Sequence, residues 1–154
     1  MVSIVLIESR PVHDPELVAL VAAQQRELRA LDGGLDGVRY PARDDCSYLV
    51  VVVDRRVVAC GAWQPLAEGV AEIKRMFVRP AYRGRGIARQ LVVALEEEAL
   101  AAGRPILRLE TGTYLSAALH LYRSAGYQPI PVYGEYVGNP FSVCFEKRLS
   151  VLTK

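Results

Sequence analysis

The chain lacks the usual marks of a disulfide, metal, membrane or nucleic-acid protein. Its 154 residues include three cysteines, Cys46, Cys60 and Cys144. An odd number cannot close a disulfide framework, and no two of them have zinc-ligand spacing. His13 and His120 stand without clustered Cys, Asp or Glu partners, so no metal site is expected. An excess of one charge is also missing. Against 19 Lys and Arg stand 17 Asp and Glu, a net charge of +2, too little for the dense basic face of a nucleic-acid binder. The apolar run 48–53 is far shorter than the ~20 residues that span a bilayer. The opening MVSIVLIESRP has no basic segment before its short apolar run and does not read as a secretory signal. These absences lead to the expectation of a cytoplasmic protein with reduced thiols and neither a membrane nor a nucleic-acid partner.

What is present belongs to a globular domain. Apolar residues make up 51% of the chain and charged residues 23%, and the length suits one domain over 1–154. Residues 3–7 read as a strand. Asp14 followed by Pro15 reads as a helix start, with Leu17, Leu20, Val21, Leu28 and Leu31 at helical spacing up to Asp32-Gly33-Gly34. Residues 36–45 have no period and read as a loop. Runs 48–53 and 57–64 form a hairpin across Asp54-Arg55-Arg56, and 70–78 forms a strand ended by Pro80. Beyond Gly86, the residues Ile87, Leu91, Val92, Leu95, Ala99 and Leu100 make a helix face. Glu96, Glu97 and Glu98 lie mostly off that face and read as solvated. A strand over 106–110 precedes a helix with Leu115, Ala118, Leu119 and Tyr122 on one side and Gly126 at its end. Two last strands are read over 129–136 and 142–149. The order β-α-β-β-β-α-β-α-β-β defines an α/β fold, one mixed central sheet flanked by helices.

The segment Arg83-Gly84-Arg85-Gly86-Ile87-Ala88 carries the strongest chemical signal. It lies between a strand and a long amphipathic helix. Glycines let backbone approach an anion closely, and the free amides and dipole of a helix start favour negative charge. A phosphate or pyrophosphate site follows. The competing account is an ordinary glycine-containing helix start with solvated arginines. The chain has neither the G-x-x-x-x-G-K-[ST] of a P-loop nor a G-x-G-x-x-G ahead of this helix.

This segment resembles the R/Q-x-x-G-x-G/A pattern of the GNAT acetyltransferase superfamily. The likeness continues upstream through Ala71-Glu72-Ile73-Lys74-Arg75-Met76-Phe77-Val78. Downstream it includes the Ala118, Leu121, Tyr122, Gly126 and Tyr127 positions of an A-x-x-L-Y-x-x-x-G-F/Y helix. Together these blocks cover about the central half of the chain. The resemblance implies a GNAT-like fold that uses acetyl-CoA as co-substrate and a small-molecule amine as acceptor. An amino-acid-like acceptor is allowed. It also implies a homodimer as the expected assembly. The cofactor would lie along Met76, Phe77 and Val78 and over Arg83, Gly84, Arg85, Gly86, Ile87 and Ala88.

Glu72 matches a general base and Tyr122 a general acid, whereas Arg75, Tyr133, Glu135 and Tyr136, with Tyr40, would line the acceptor pocket. Each has a plainer account: Glu72 as a strand carboxylate paired with Lys74, Tyr122 as part of an apolar face. Glu110 ends a strand near the expected splay of the sheet. Many relatives carry Asn where this chain has Leu115, so that cofactor contact does not transfer. A non-catalytic acyl-CoA sensor is the alternative function. The pairing of Glu72 with Tyr122 favours the enzyme, because a sensor needs no proton-transfer groups.

Overall fold

β-Branched and apolar runs dominate the longer strands, and a sheet built from them must be covered on both faces. The computed structural model describes residues 4–33 and 42–150. Its elements are β1 (Val5–Arg10), α1 (Pro15–Asp32), β2 (Ser47–Val53), β3 (Arg56–Ala67), β4 (Val70–Val78), α2 (Ile87–Ala101), β5 (Ile106–Gly112), α3 (Ser116–Ser124), β6 (Gln128–Ile130) and β7 (Ser142–Arg148). The strands form one sheet in the order β1-β2-β3-β4-β5-β7-β6. The β4–β5 pair is parallel and the other pairs are antiparallel. The expected element order and fold class are both found.

The Asp14-Pro15 start behaves as its chemistry requires. The Asp14 carboxylate accepts from Leu17 N at 3.0 Å, satisfying an amide that has no partner within the helix. α1 then buries Leu17 and Leu20 against Val50, Cys60, Ala62 and Phe77 on one face of the sheet. On the opposite face α2 and α3 bring Leu91, Val92, Leu95 and Tyr122 against Ile73, Leu107, Leu109 and Phe145. The β2–β3 turn is tighter than expected. Only Asp54 (φ 47) and Arg55 (φ 73) make it, and Arg56 already belongs to β3.

Two expectations need correction. Glu96 is not solvated. It is 6% exposed, accepts from the Tyr127 hydroxyl at 2.8 Å and pairs with Lys147 at 3.1 Å. A carboxylate next to an apolar stripe is tolerated inside when two donors meet it. Glu96→Ala should therefore lower stability by roughly 3 kcal/mol, because it leaves a buried phenol and a half-buried ammonium unpaired. Urea unfolding with an unchanged m-value would measure this, and a loss below about 0.5 kcal/mol would contradict it.

The second correction concerns the strand read over 129–136. Pro131 has no N–H to extend a ladder, so β6 stops at Ile130. Gly134, with φ 56, then turns the chain into a 3-10 turn over Gly134–Tyr136.

One irregularity shapes the middle of the sheet. β4 and β5 pair only through Val70↔Ile106, Ala71↔Leu107 and Glu72↔Arg108. Beyond that point β4 stays with β3 as far as Val78, and β5 stays with β7 as far as Gly112. On β3, Ala62 faces Lys74 and Cys60 faces Phe77, so Gly61 alone opposes both Arg75 and Met76. Arg75 takes φ 62 at this bulge. Bulges bend a strand and sharpen its twist, and here the two halves of the sheet part beside one.

Candidate active site

The split between β4 and β5 exposes strand backbone. Arg79 N donates to Val58 O at 2.8 Å, which makes 58/79 a hydrogen-bonded pair and 59/78 a non-bonded one. The Val78 N–H therefore points away from β3, toward the opening. Phe77 has the other parity and faces the β3 ladder. Of the Met76, Phe77 and Val78 backbone groups, the register thus gives Val78 a donor aimed into the split. Met76 O is occupied, accepting from Gln24 Nε2 of α1 at 2.8 Å.

The phosphate-type loop follows directly. Gly84 and Gly86 have φ 79 and 78, and a Cβ built on either would meet no protein atom within 4 Å. They line open space. The first helical bond on this side is Gln90 N to Gly86 O at 3.1 Å, so the amides at the start of α2 lack intrahelical acceptors. Ile87 is buried beneath them and Ala88 is half-buried. A group with several anionic oxygens fits this cradle.

The two loop arginines differ in their commitments. Arg83 donates through Nε to Val78 O at 2.8 Å, grips both Glu27 oxygens at 2.8 Å and covers the Phe77 ring. Its side chain fastens the loop to β4 and α1. Arg85 is exposed over the Tyr82 ring, donates to Ala81 O at 3.4 Å and places a positive charge in the same loop as the open amides.

Glu72 is the centre of the site on the α1 face. It is 3% exposed at the last paired position before the split. Gln64 Nε2 donates to its Oε1 at 3.0 Å, while the Tyr133 and Tyr136 hydroxyls donate to Oε2 at 2.5 and 3.0 Å. Gln64 is itself oriented by Arg43 N, which donates to its Oε1 at 2.9 Å. Burial pushes both tyrosine pKa values well above the ordinary phenol range, and the Glu72 charge adds to the effect. Both therefore stay protonated as donors to Glu72.

Lys74 does not pair directly with Glu72. Its Nζ donates to the Tyr136 hydroxyl at 3.1 Å, one step removed from the carboxylate. Glu110 lies within β5 rather than at its end and accepts from Ser142 Oγ at 2.6 Å. Glu135 is exposed and reaches this group only as a nearby charge on Tyr136. Tyr40 lies outside the described residues.

Tyr122 packs on the other face of the sheet, in the core that α2 and α3 cover. It is 6% exposed, edge-on to Tyr127 with centroids 5.8 Å apart and tilted against Phe145. Burial pushes its pKa up, and no hydrogen bond contributes. The thiols are poor nucleophiles here. Burial raises Cys46 to about 11 and Cys60 to about 12, so neither is a thiolate near neutral pH. Among the described residues no group of three metal-ligating side chains occurs, and no helix is long and apolar enough to cross a membrane.

Sequence reasoning did not find Gln64 or assign a site role to Lys74. Gln64 had one usable signal, an amide on the inward parity of an otherwise apolar strand.

The chain is similar to known acetyltransferases. The acetyltransferase (GNAT) family model matches residues 15–127. An IAA acetyltransferase of Azospirillum brasilense is 42% identical over 109 residues, which is 70% of this chain and 71% of that protein. A crystal structure from Klebsiella pneumoniae, of a candidate acyl-CoA N-acyltransferase, superposes with a TM-score of 0.81 at 34% identity over 96% of this chain and 99% of that one. A GNAT acetyltransferase of Elizabethkingia anophelis with acetyl-CoA bound shares the fold, with a TM-score of 0.72 at 16% identity over 94% and 98% of the two chains. The family match and the mixed sheet it accompanies place the chain among the acyl-CoA-dependent transferases. This chain belongs to the GNAT acetyltransferase family and is an N-acetyltransferase of that type.

Proposed function

We propose that the protein moves the acetyl group of acetyl-CoA directly to the primary amine of a small molecule, in the cytoplasm, without a metal ion. A homodimer is the proposed assembly, since two-fold dimers are the commonest closed form. The observation that carries this reading is Glu72, held by two tyrosine hydroxyls where β4 and β5 part. A sensor of acyl-CoA would have no use for a buried proton-accepting group with a hydroxyl path to it.

The steps assign a task to each residue. The amides from Gly84 to Ala88 hold the pyrophosphate, with Arg83 fixing the loop and Arg85 adding charge. The Val78 N–H, near Met76 and Phe77, stabilises negative charge developing on the thioester oxygen. Tyr136 O already accepts from Lys74. Tyr133, whose hydroxyl donates only to Glu72 among the described residues, is therefore the relay. Its oxygen takes a proton from the acceptor ammonium as its own proton passes to Glu72. The neutral amine forms the new N–C bond, the C–S bond breaks, and Tyr122 supplies a proton to the departing sulfur.

An amine panel that follows release of free CoA thiol tests the activity itself, and no release with any amine would overturn it. Glu72→Gln tests the relay. Turnover at neutral pH should fall roughly 10²-fold, the low end for a general base. It should recover as pH rises and free amine accumulates, with acetyl-CoA affinity retained. A pH–rate profile parallel to wild type would leave Glu72 as a structural carboxylate.

A further inference from the structure

The bulge in β4 does more than open the sheet. In a regular strand consecutive side chains point to opposite faces, so Lys74 and Arg75 would be separated by the sheet. Here Arg75, at φ 62, occupies the extra position and shares the α1 face with Lys74. The placement follows from their neighbours. Lys74 reaches Tyr136. Arg75 O accepts from the Cys60 thiol at 3.3 Å, and its guanidinium lies beside Tyr48 and Cys46, whose ionisation it favours against the stronger effect of burial. A non-glycine residue in the left-handed region of a strand costs roughly 1–2 kcal/mol. Such strain gathers where function needs a side chain re-aimed.

Both cations are half-buried, and among the described residues neither has a carboxylate within ion-pair distance. Arg75 Nε is fully buried without a hydrogen-bond partner. Several other cations of the fold are matched to a carboxylate: Arg10 to Asp14, Arg83 to Glu27, Arg108 to Glu146 and Lys147 to Glu96. Lys74 has the Tyr136 hydroxyl and Arg75 the Tyr48 side chain as neutral partners, but half-buried charge without a counter-charge is costly, and two such charges side by side also repel. A ligand anion would remove both penalties. A guanidinium beside an ammonium suits a carboxylate, with the Arg fork supplying direction.

Resting on the acetyltransferase reading, we propose that the acceptor is an aminocarboxylate whose carboxylate is held by Lys74 and Arg75 while its amine faces Tyr133 and Glu72. The arrangement has a chemical consequence. Two cations on the carboxylate side of the acceptor bias its amine toward the neutral, nucleophilic form.

The test compares kcat/KM for amines paired with their α-carboxylated counterparts, such as 2-phenylethylamine with phenylalanine and isobutylamine with valine. The counterparts should be preferred by roughly 10- to 100-fold, the range for hydrogen bonds to charged groups. In Lys74→Gln/Arg75→Gln that preference should fall to near one, while Arg75→Lys should keep part of it. Lys74→Gln alone, expected to shrink the ratio, serves if the double variant no longer binds acetyl-CoA. A wild-type ratio near one overturns this inference and leaves the acetyltransferase reading standing, as does an undiminished ratio in a folded variant. No turnover of any amine removes both.

Discussion

Replacing Tyr122 by Phe is expected to lower kcat by roughly 10²–10⁴-fold, the usual range for a positioned proton donor, with acetyl-CoA affinity and thermal stability close to wild type. The structure makes this a clean separation of chemistry from packing. The ring is edge-on to Tyr127 and tilted on Phe145, and Phe keeps both contacts. Among the described residues no hydrogen bond to the hydroxyl contributes to its shift, so its removal strands no partner there. Burial raises the Tyr122 pKa, so the proton is present throughout the working range. The same shift makes the hydroxyl a weaker acid, so in the proposed mechanism it hydrogen-bonds the sulfur and yields its proton only as negative charge builds there. A better thiol leaving group should therefore rescue the variant more than it helps wild type. Steady-state kinetics on the true acceptor measure the effect, and an unchanged kcat in a folded Tyr122→Phe enzyme would remove Tyr122 from the mechanism.

Gly86→Val should raise the Kd for CoA by roughly 10²–10⁴-fold, the loss of about two charge-assisted hydrogen bonds. Two causes act at Gly86. Its φ of 78 is a conformation a β-branched residue strongly resists. A Cβ there would also stand in space that contains no protein atom within 4 Å, the space assigned to the pyrophosphate. Gly103 provides the control, because it has the same φ of 78 and equally open surroundings but lies beyond the far end of α2. Gly103→Val should cost similar stability and leave CoA affinity near wild type. Calorimetric titration of both variants decides the matter. Equal Kd values for Gly86→Val and wild type would show that the pyrophosphate does not lie over this loop.

The proposed acceptor pocket was less legible than the proposed cofactor loop, for a geometric reason. Read as a strand, residues 129–136 would put Tyr133 and Tyr136 on opposite faces, because their spacing of three is odd. The 3-10 turn has three residues per turn and brings i and i+3 to one side, with Tyr136 N bonded to Tyr133 O at 3.1 Å. Only in that form do both hydroxyls reach Glu72. Shared strand parity makes Lys74 a direct partner of Glu72 in the plainer account of that carboxylate. The tyrosine came between them, since it could satisfy ammonium and carboxylate together.

Local chemistry was enough for the sequence to determine the Asp14-Pro15 helix start, the β4 strand ended by Pro80, the glycine loop opening α2 and the overall order of elements. Each depends on a backbone preference or a periodicity that acts over a few residues. The tertiary structure alone decided where β4 and β5 part, that Arg75 joins Lys74 on one face, and that Glu96 is buried beneath Tyr127 and Lys147. Those features depend on strand register and on side chains 15 to 64 positions apart in the chain. No local propensity encodes such pairings. They form because a buried charge or hydroxyl must find a partner once the sheet has closed around it.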